Sequence, residues 1–344
     1  MSTHGAKRGF HLSTQKLLNW GMPGSDQDPR RCASLSQLRD EGTPKVIRRK
    51  ETPRVGATRR SDYNEGMALQ IPKGLAASCR KSTDRAAWLD RLPELLGKLE
   101  LEWSVRLGAP FDGEDVSCSY VAAVERADGT PAVLKIGMPH MEGHHEIQGL
   151  RFWCGDPTVR LLTADDDLGA MLLERCEPGT TPRELEEQEQ DRVISGLLRR
   201  LWRKPTKPHP FRPLSRLTAY WSRETLAQAE HWPDAGLVRE GLRLFEELSR
   251  STPAEVLLAT DLHAGNVLRA EREPWLVIDP KPFVGDSAYD ATQHLFNCHS
   301  RLRSDPHGTI QSFANRSESM ADASDCGRSH VQQRPRVTIG ITAL

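Results

Sequence analysis

The 344-residue sequence contains no apolar run approaching the ~20 residues that a membrane-spanning helix needs, and no apolar signal core follows its first methionine. Paired cysteines are missing too. The seven thiols, at positions 32, 79, 118, 154, 176, 298 and 326, never come closer than 22 residues to one another. No zinc spacing and no disulfide framework follows from that scatter, which favours a reducing, cytoplasmic compartment. Net charge is absent as well, with 47 Lys and Arg against 47 Asp and Glu. At 37% apolar and 27% charged residues, the composition is that of a globular chain long enough for two lobes.

The neutral total hides an asymmetry. Residues 1–66 carry 13 Lys/Arg against 7 Asp/Glu, are rich in Gly, Pro, Ser and Thr, and keep no helical or alternating period. They read as a disordered basic extension. Its run Lys45–Lys50 reads as solvated charge, since no nucleic-acid recognition motif accompanies it. The rest of the chain is acidic, with 34 against 40, which suits a cationic acceptor.

The stretch 257–290 carries the chemistry. Two apolar runs, Val256–Leu258 and Trp275–Ile278, read as short buried strands, and a carboxylate follows each: Asp261 and Asp279. Asn266 stands five residues after Asp261, and Asp279 thirteen residues after Asn266. This is the D-x-x-x-x-N…D spacing of a kinase catalytic loop. There the first Asp takes the proton of the acceptor hydroxyl, while the Asn and the second Asp hold Mg²⁺ against the ATP phosphates. Upstream, Lys135 lies inside the apolar strand Val133–Ile136, the context of the lysine that pairs with the α/β-phosphates. Such a lysine needs a carboxylate; Glu146 and, one helical turn earlier, Glu142 compete for that place.

The motifs Asp261-Leu262-His263-Ala264-Gly265-Asn266-Val267-Leu268, Trp275 to Lys281 and Gly285-Asp286-Ser287-Ala288-Tyr289-Asp290 resemble the aminoglycoside phosphotransferase superfamily, in its streptomycin 6-phosphotransferase and hydroxyurea phosphotransferase branch. Many relatives carry His-Gly before the catalytic Asp, where this chain has Ala259-Thr260. The resemblance implies an α+β, two-lobed protein-kinase-like fold, with ATP and Mg²⁺ as cofactors and a small-molecule hydroxyl as acceptor. Neither a specific nucleic acid nor a membrane is implied as partner. It assigns Asp261 as catalytic, Asn266 and Asp279 as metal ligands, and Lys135 with Glu146 to the nucleotide. The lobe hinge falls on Glu174 to Cys176, whose backbone would face adenine.

Coarse patterning places a helix from Thr83, strands at 103–107, 117–124 and 132–136, and a further pair at 159–163 and 170–174. The loop 108–118 stands where a phosphate-covering loop would, yet no G-x-G-x-x-G is present. Helices follow around Val193–Trp202 and Val238–Leu248, separated by a Pro-rich basic loop at 204–213. The expected division is an N-terminal extension at 1–66, an N-lobe and hinge at 67–176, a C-lobe at 177–310, and an irregular tail at 311–344. A tail without a helical period implies a shortened C-lobe, and with it the alternative of an impaired or binding-only kinase fold.

Overall fold

A computed structural model of the chain describes residues 69–112, 118–232, 234–250 and 255–323. The expected basic extension, the middle of the loop 108–118 and the residues after 323 lie outside this set.

The N-terminal half opens with two helices, α1 (Lys73–Cys79) and α2 (Thr83–Glu102). Ser82 caps α2 by accepting the Arg85 N–H, one residue before the Thr-Asp pair that suggests a cap. Trp88, Leu92, Leu95, Leu96 and Leu99 form its buried stripe, and the helix runs through Pro93 without a break.

Five strands then make one antiparallel sheet in the order β1-β2-β3-β5-β4. They are β1 (Val105–Pro110), β2 (Ser119–Arg126), β3 (Pro131–Gly137), β4 (Leu161–Asp165) and β5 (Ala170–Glu174). The β2–β3 turn closes as its Asp-Gly sequence predicts. Gly129 adopts φ +79°, and Asp128 accepts the Thr130 N–H. Helix α3 (Glu146–Trp153) crosses between β3 and β4, preceded by one 3-10 turn at Glu142–His145. It approaches the catalytic segment very closely: a Cβ at Gly149 would lie 2.3 Å from the Pro282 ring.

The second half is helical, with α4 (Glu187–Leu201), α5 (Leu214–Leu226) and α6 (Ala235–Leu248). Short antiparallel pairs carry the catalytic segment: β6 (Val256–Leu258) with β9 (Phe283–Gly285), and β7 (Val267–Leu268) with β8 (Leu276–Val277). Two helices follow, α7 (Ser287–Phe296) and α8 (His299–Ser304), the first started by the Asp286 side chain capping Ala288 N–H. The break between them falls at Asn297 and Cys298, whose N–H groups turn back onto His294 and Leu295 carbonyls.

Helix α9 (Pro306–Ala323) corrects the expected boundary at 310. Phe313 is fully buried and joins Trp153, Ile194, Leu198, Leu201, Leu257 and Leu295 in one apolar cluster. Burial of an aromatic side chain, worth ~1.5–3 kcal/mol, holds this helix on the lobe despite its polar composition. Among the described residues no helix is long and apolar enough to cross a membrane.

Candidate active site

The catalytic segment is built on short strands and held from behind by α7. Strand β6 ends at Leu258, and the chain then turns through Thr260, whose φ of +50° is unusual for a β-branched residue. Three hydrogen bonds hold it there. Asp290 on α7 is fully buried and accepts the N–H groups of Ala259 and Thr260 at 2.9 and 2.7 Å. The Thr260 hydroxyl donates to the Lys281 carbonyl at 2.6 Å. Burial pushes the Asp290 carboxyl up to about 6, against those N–H donors and the Trp202 indole.

Asp261 therefore emerges on a fixed backbone. It is buried, and its Oδ1 has no hydrogen-bond partner among the described residues. An orphaned buried carboxylate oxygen costs stability unless something else meets it. An acceptor hydroxyl at that oxygen would satisfy it. Burial raises the Asp261 pKa to about 7, with the nearby Glu142 and Asp279 charges adding to the rise and Lys281 opposing it. Asn266 donates its amide N–H to the Asp261 carbonyl at 2.9 Å, so the atom it would offer a cation is its oxygen. His263, one turn earlier, spends Nδ1 on the Gly265 N–H.

Asp279 closes the group. Its φ of +52° turns the chain sharply, and its carboxylate sits between two lysines, Lys135 at 2.5 Å and Lys281 at 2.7 Å. Burial works against its charge, yet Lys135 and Lys281 outweigh it and hold the group far below the usual carboxylate range. Lys135 also meets Glu146 at 2.6 Å, which settles the competition with Glu142. Glu142 instead turns away to accept the Trp221 indole N–H at 3.1 Å. Although burial disfavours its charge, Asp279 and Glu146 keep the Lys135 ammonium protonated.

Lys135, Glu146 and Asp279 line one cavity of about 210 Å³ with His140, Gly137 and Met171. The His140 imidazole is neutral there, lowered to about 4 by burial. The structure thus brings together Lys135, Glu146, Asp261, Asn266 and Asp279. Sequence reasoning left Lys281 and Asp290 without a role. The only signal for either was its place in the motifs Asp279-Pro280-Lys281 and Tyr289-Asp290.

The hinge residues lie elsewhere. Glu174 donates its N–H to the Arg160 carbonyl at 2.9 Å, and its carboxylate accepts the Arg160 N–H and pairs with Arg272 at 2.8 Å. With its N–H committed to the sheet edge, Glu174 is a strut of the hinge and not a donor to a base. The Cys176 side chain is buried in an apolar cluster with Val159 and Leu276, and its thiol is pushed up to about 11 by burial. Neither residue lines the cavity.

Residues 106–336 match the family described as aminoglycoside/hydroxyurea antibiotic resistance kinase. The chain belongs to that family. As a member of this kinase family it is an ATP-using phosphotransferase, and the match runs past residue 310 into the segment expected to be an irregular tail. Streptomycin 6-kinase of Streptomyces griseus is 38% identical over 232 residues, covering 64% of this chain and 73% of that protein. Hydroxyurea phosphotransferase of Kitasatospora aureofaciens is 36% identical over 240 residues, covering 67% and 69% respectively. Among solved structures, an aminoglycoside-3'-phosphotransferase of type VIII aligns at 20% identity and a TM-score of 0.44, over 71% of this chain and 93% of that one. The kinase family match and these relatives lend the binding-only alternative no support.

Proposed function

We propose that the protein transfers the γ-phosphoryl group of ATP to a hydroxyl of a small antimicrobial acceptor, either a streptomycin-like aminoglycoside or hydroxyurea. The observation that carries this reading is Asp261: a buried carboxylate, held by a rigid backbone, with one oxygen left for a donor. The acceptor hydroxyl gives its proton to Asp261 as its oxygen bonds to the γ-phosphorus, and the bond from that phosphorus to the β-bridging oxygen breaks. A carboxyl raised to about 7 is a competent proton acceptor near neutral pH. Lys135, fixed by Glu146, draws the α/β-phosphates into line, and catalysis is chiefly positioning and charge neutralisation. The hinge backbone around Cys176 faces the base.

Asn266 and Asp279 fit a hard divalent cation, since both offer oxygen and the Asp279 side chain is the most open of the acidic groups here, at 38% exposure. Mg²⁺ held there would neutralise charge on the phosphates. A partner of any other class is not needed for this chemistry.

The test is purified protein with ATP and each acceptor in turn, with phosphorylated product read by mass spectrometry. Product from one acceptor and none from Asp261→Asn supports the reading. Absence of product from both acceptors while ATP binds would remove the assigned acceptor classes.

A further inference from the structure

We propose that Lys281 is a second phosphate-directed cation of this site, and that it grips the transferred γ-phosphoryl group; this rests on the phosphotransferase reading above. Nothing in the kinase motif assigns this lysine. Its position is set by the backbone on both sides. The left-handed turn at Asp279 folds the chain back, and the Lys281 N–H donates to the Ala259 carbonyl at 2.8 Å while its own carbonyl receives the Thr260 hydroxyl. The residue is thereby stapled to the same two residues that lead into Asp261.

The ammonium lies between the two carboxylates that bracket the reaction. It is 2.7 Å from Asp279 Oδ2 and 3.7 Å from Asp261 Oδ2. Asp261 takes the acceptor proton, and Asp279 stands on the nucleotide side. The group that passes between them must cross the space that Lys281 faces. Its exposure, 6%, matches that of Lys135 at 5% and Asp261 at 6%, so the three side chains are equally buried.

Charge count supports the same assignment. Lys135 has two carboxylate partners within 2.6 Å, whereas Lys281 shares Asp279 and holds Asp261 only at the longer distance. A cation with an incomplete set of close partners, in a site built for a phosphate chain, has capacity for one more anion. A lysine acts there as a compact point charge with three donors, suited to a phosphoryl group whose geometry changes during transfer.

The experiment separates the γ-phosphoryl group from the rest of the nucleotide. Calorimetric affinities for ADP and for a non-hydrolysable ATP analogue, both with magnesium, are compared in the full-length wild type, Lys281→Met and Lys281→Arg. The expected result is an analogue-to-ADP affinity ratio at least ~10-fold lower in Lys281→Met, with ADP affinity within about 2-fold of wild type and the ratio recovered in Lys281→Arg. An unchanged ratio, whether both affinities persist or both collapse, would overturn the proposal. Should Lys281→Met fail to fold, the Lys281 ammonium nitrogen resonance of wild type supplies the same reading. It should move with the analogue and not with ADP; equal responses would refute the assignment. Wild type that binds neither nucleotide would sink the phosphotransferase reading itself, which is a different outcome from an unchanged ratio.

Discussion

Replacing Asp191 by Asn should unpin three helices of the C-terminal lobe. Asp191 on α4 is fully buried, and its carboxylate receives His294 of α7 at 2.8 Å and both terminal nitrogens of Arg301 on α8 at 2.8 Å. Burial opposes charge on His294, but its hydrogen bonds to Asp191 and Cys298 raise it from 6.5 to about 9. Burial likewise opposes charge on Asp191, while Arg301 and His294 bring it from 3.8 down to about 2. The signs follow from linkage. The raised histidine contributes stability that is complete below 6.5 and lost as pH climbs to about 9. The depressed carboxylate contributes stability complete above 3.8 and lost as pH falls to about 2. The histidine shift corresponds to about 3 kcal/mol, or roughly 6–12 °C in Tm for a domain of this size. Melting temperature measured across pH should therefore fall in wild type between 6.5 and about 9. In Asp191→Asn it should start lower by a similar amount and lose that slope, because His294 no longer gains a proton on folding. A wild-type Tm flat over this window, or an Asn variant that keeps the slope, would refute the reasoning.

Other substitutions test the site and its supports. Asp261→Asn keeps the side-chain size and should lower turnover about 10²–10⁴-fold while ATP affinity, read by calorimetry, stays near wild type. Activity should vanish with EDTA and return with Mg²⁺, and Asp279→Ala should lose nucleotide affinity as well as rate. Thr260→Gly relieves a left-handed residue and loses one hydroxyl bond, so its Tm should match wild type to within the equivalent of about 1 kcal/mol, whereas Thr260→Val keeps the strain and should cost about 2 kcal/mol or more. Phe313→Ala should cost about 3–5 kcal/mol by denaturant melt, because the ring is fully buried in an apolar cluster. A tail that merely trails from residue 311 would show no effect.

Legibility in the sequence followed how local each feature is. Asp261, Asn266 and Asp279 lie in one loop-and-strand unit, where spacing alone brings side chains together, and the strands that carry them match their apolar runs. Lys135 was legible because a lysine inside a buried strand is an anomaly that needs a partner. Its partner Glu146 came from the family resemblance; the residues alone left Glu142 open, since the two differ only in which way the turn before α3 faces. Lys281 escaped notice because its position depends on a single backbone angle at Asp279, which no residue type announces. That the Glu174 N–H is spent on Arg160 and its carboxylate on Arg272 was not legible, because both are long-range choices. Helix α9 hides among polar residues because a few contacts at Thr309, Phe313 and Ala314 suffice to seat it.

The clasp of Asp290 on the Ala259 and Thr260 N–H groups ties the base's backbone to α7, and α7 is in turn tied to α4, α8 and α9 through Asp191, Arg301 and the His294–Phe313 ring contact at 5.2 Å. Activity and folding in this lobe are therefore one event. A substitution at 191, 294, 301 or 313 should lower the temperature to which activity persists, with every residue of the cleft intact. Heat should silence the enzyme at the temperature where the lobe melts, with no inactive but folded species in between. Resistance conferred by such a protein is only as durable as a set of helix contacts that never meet the drug.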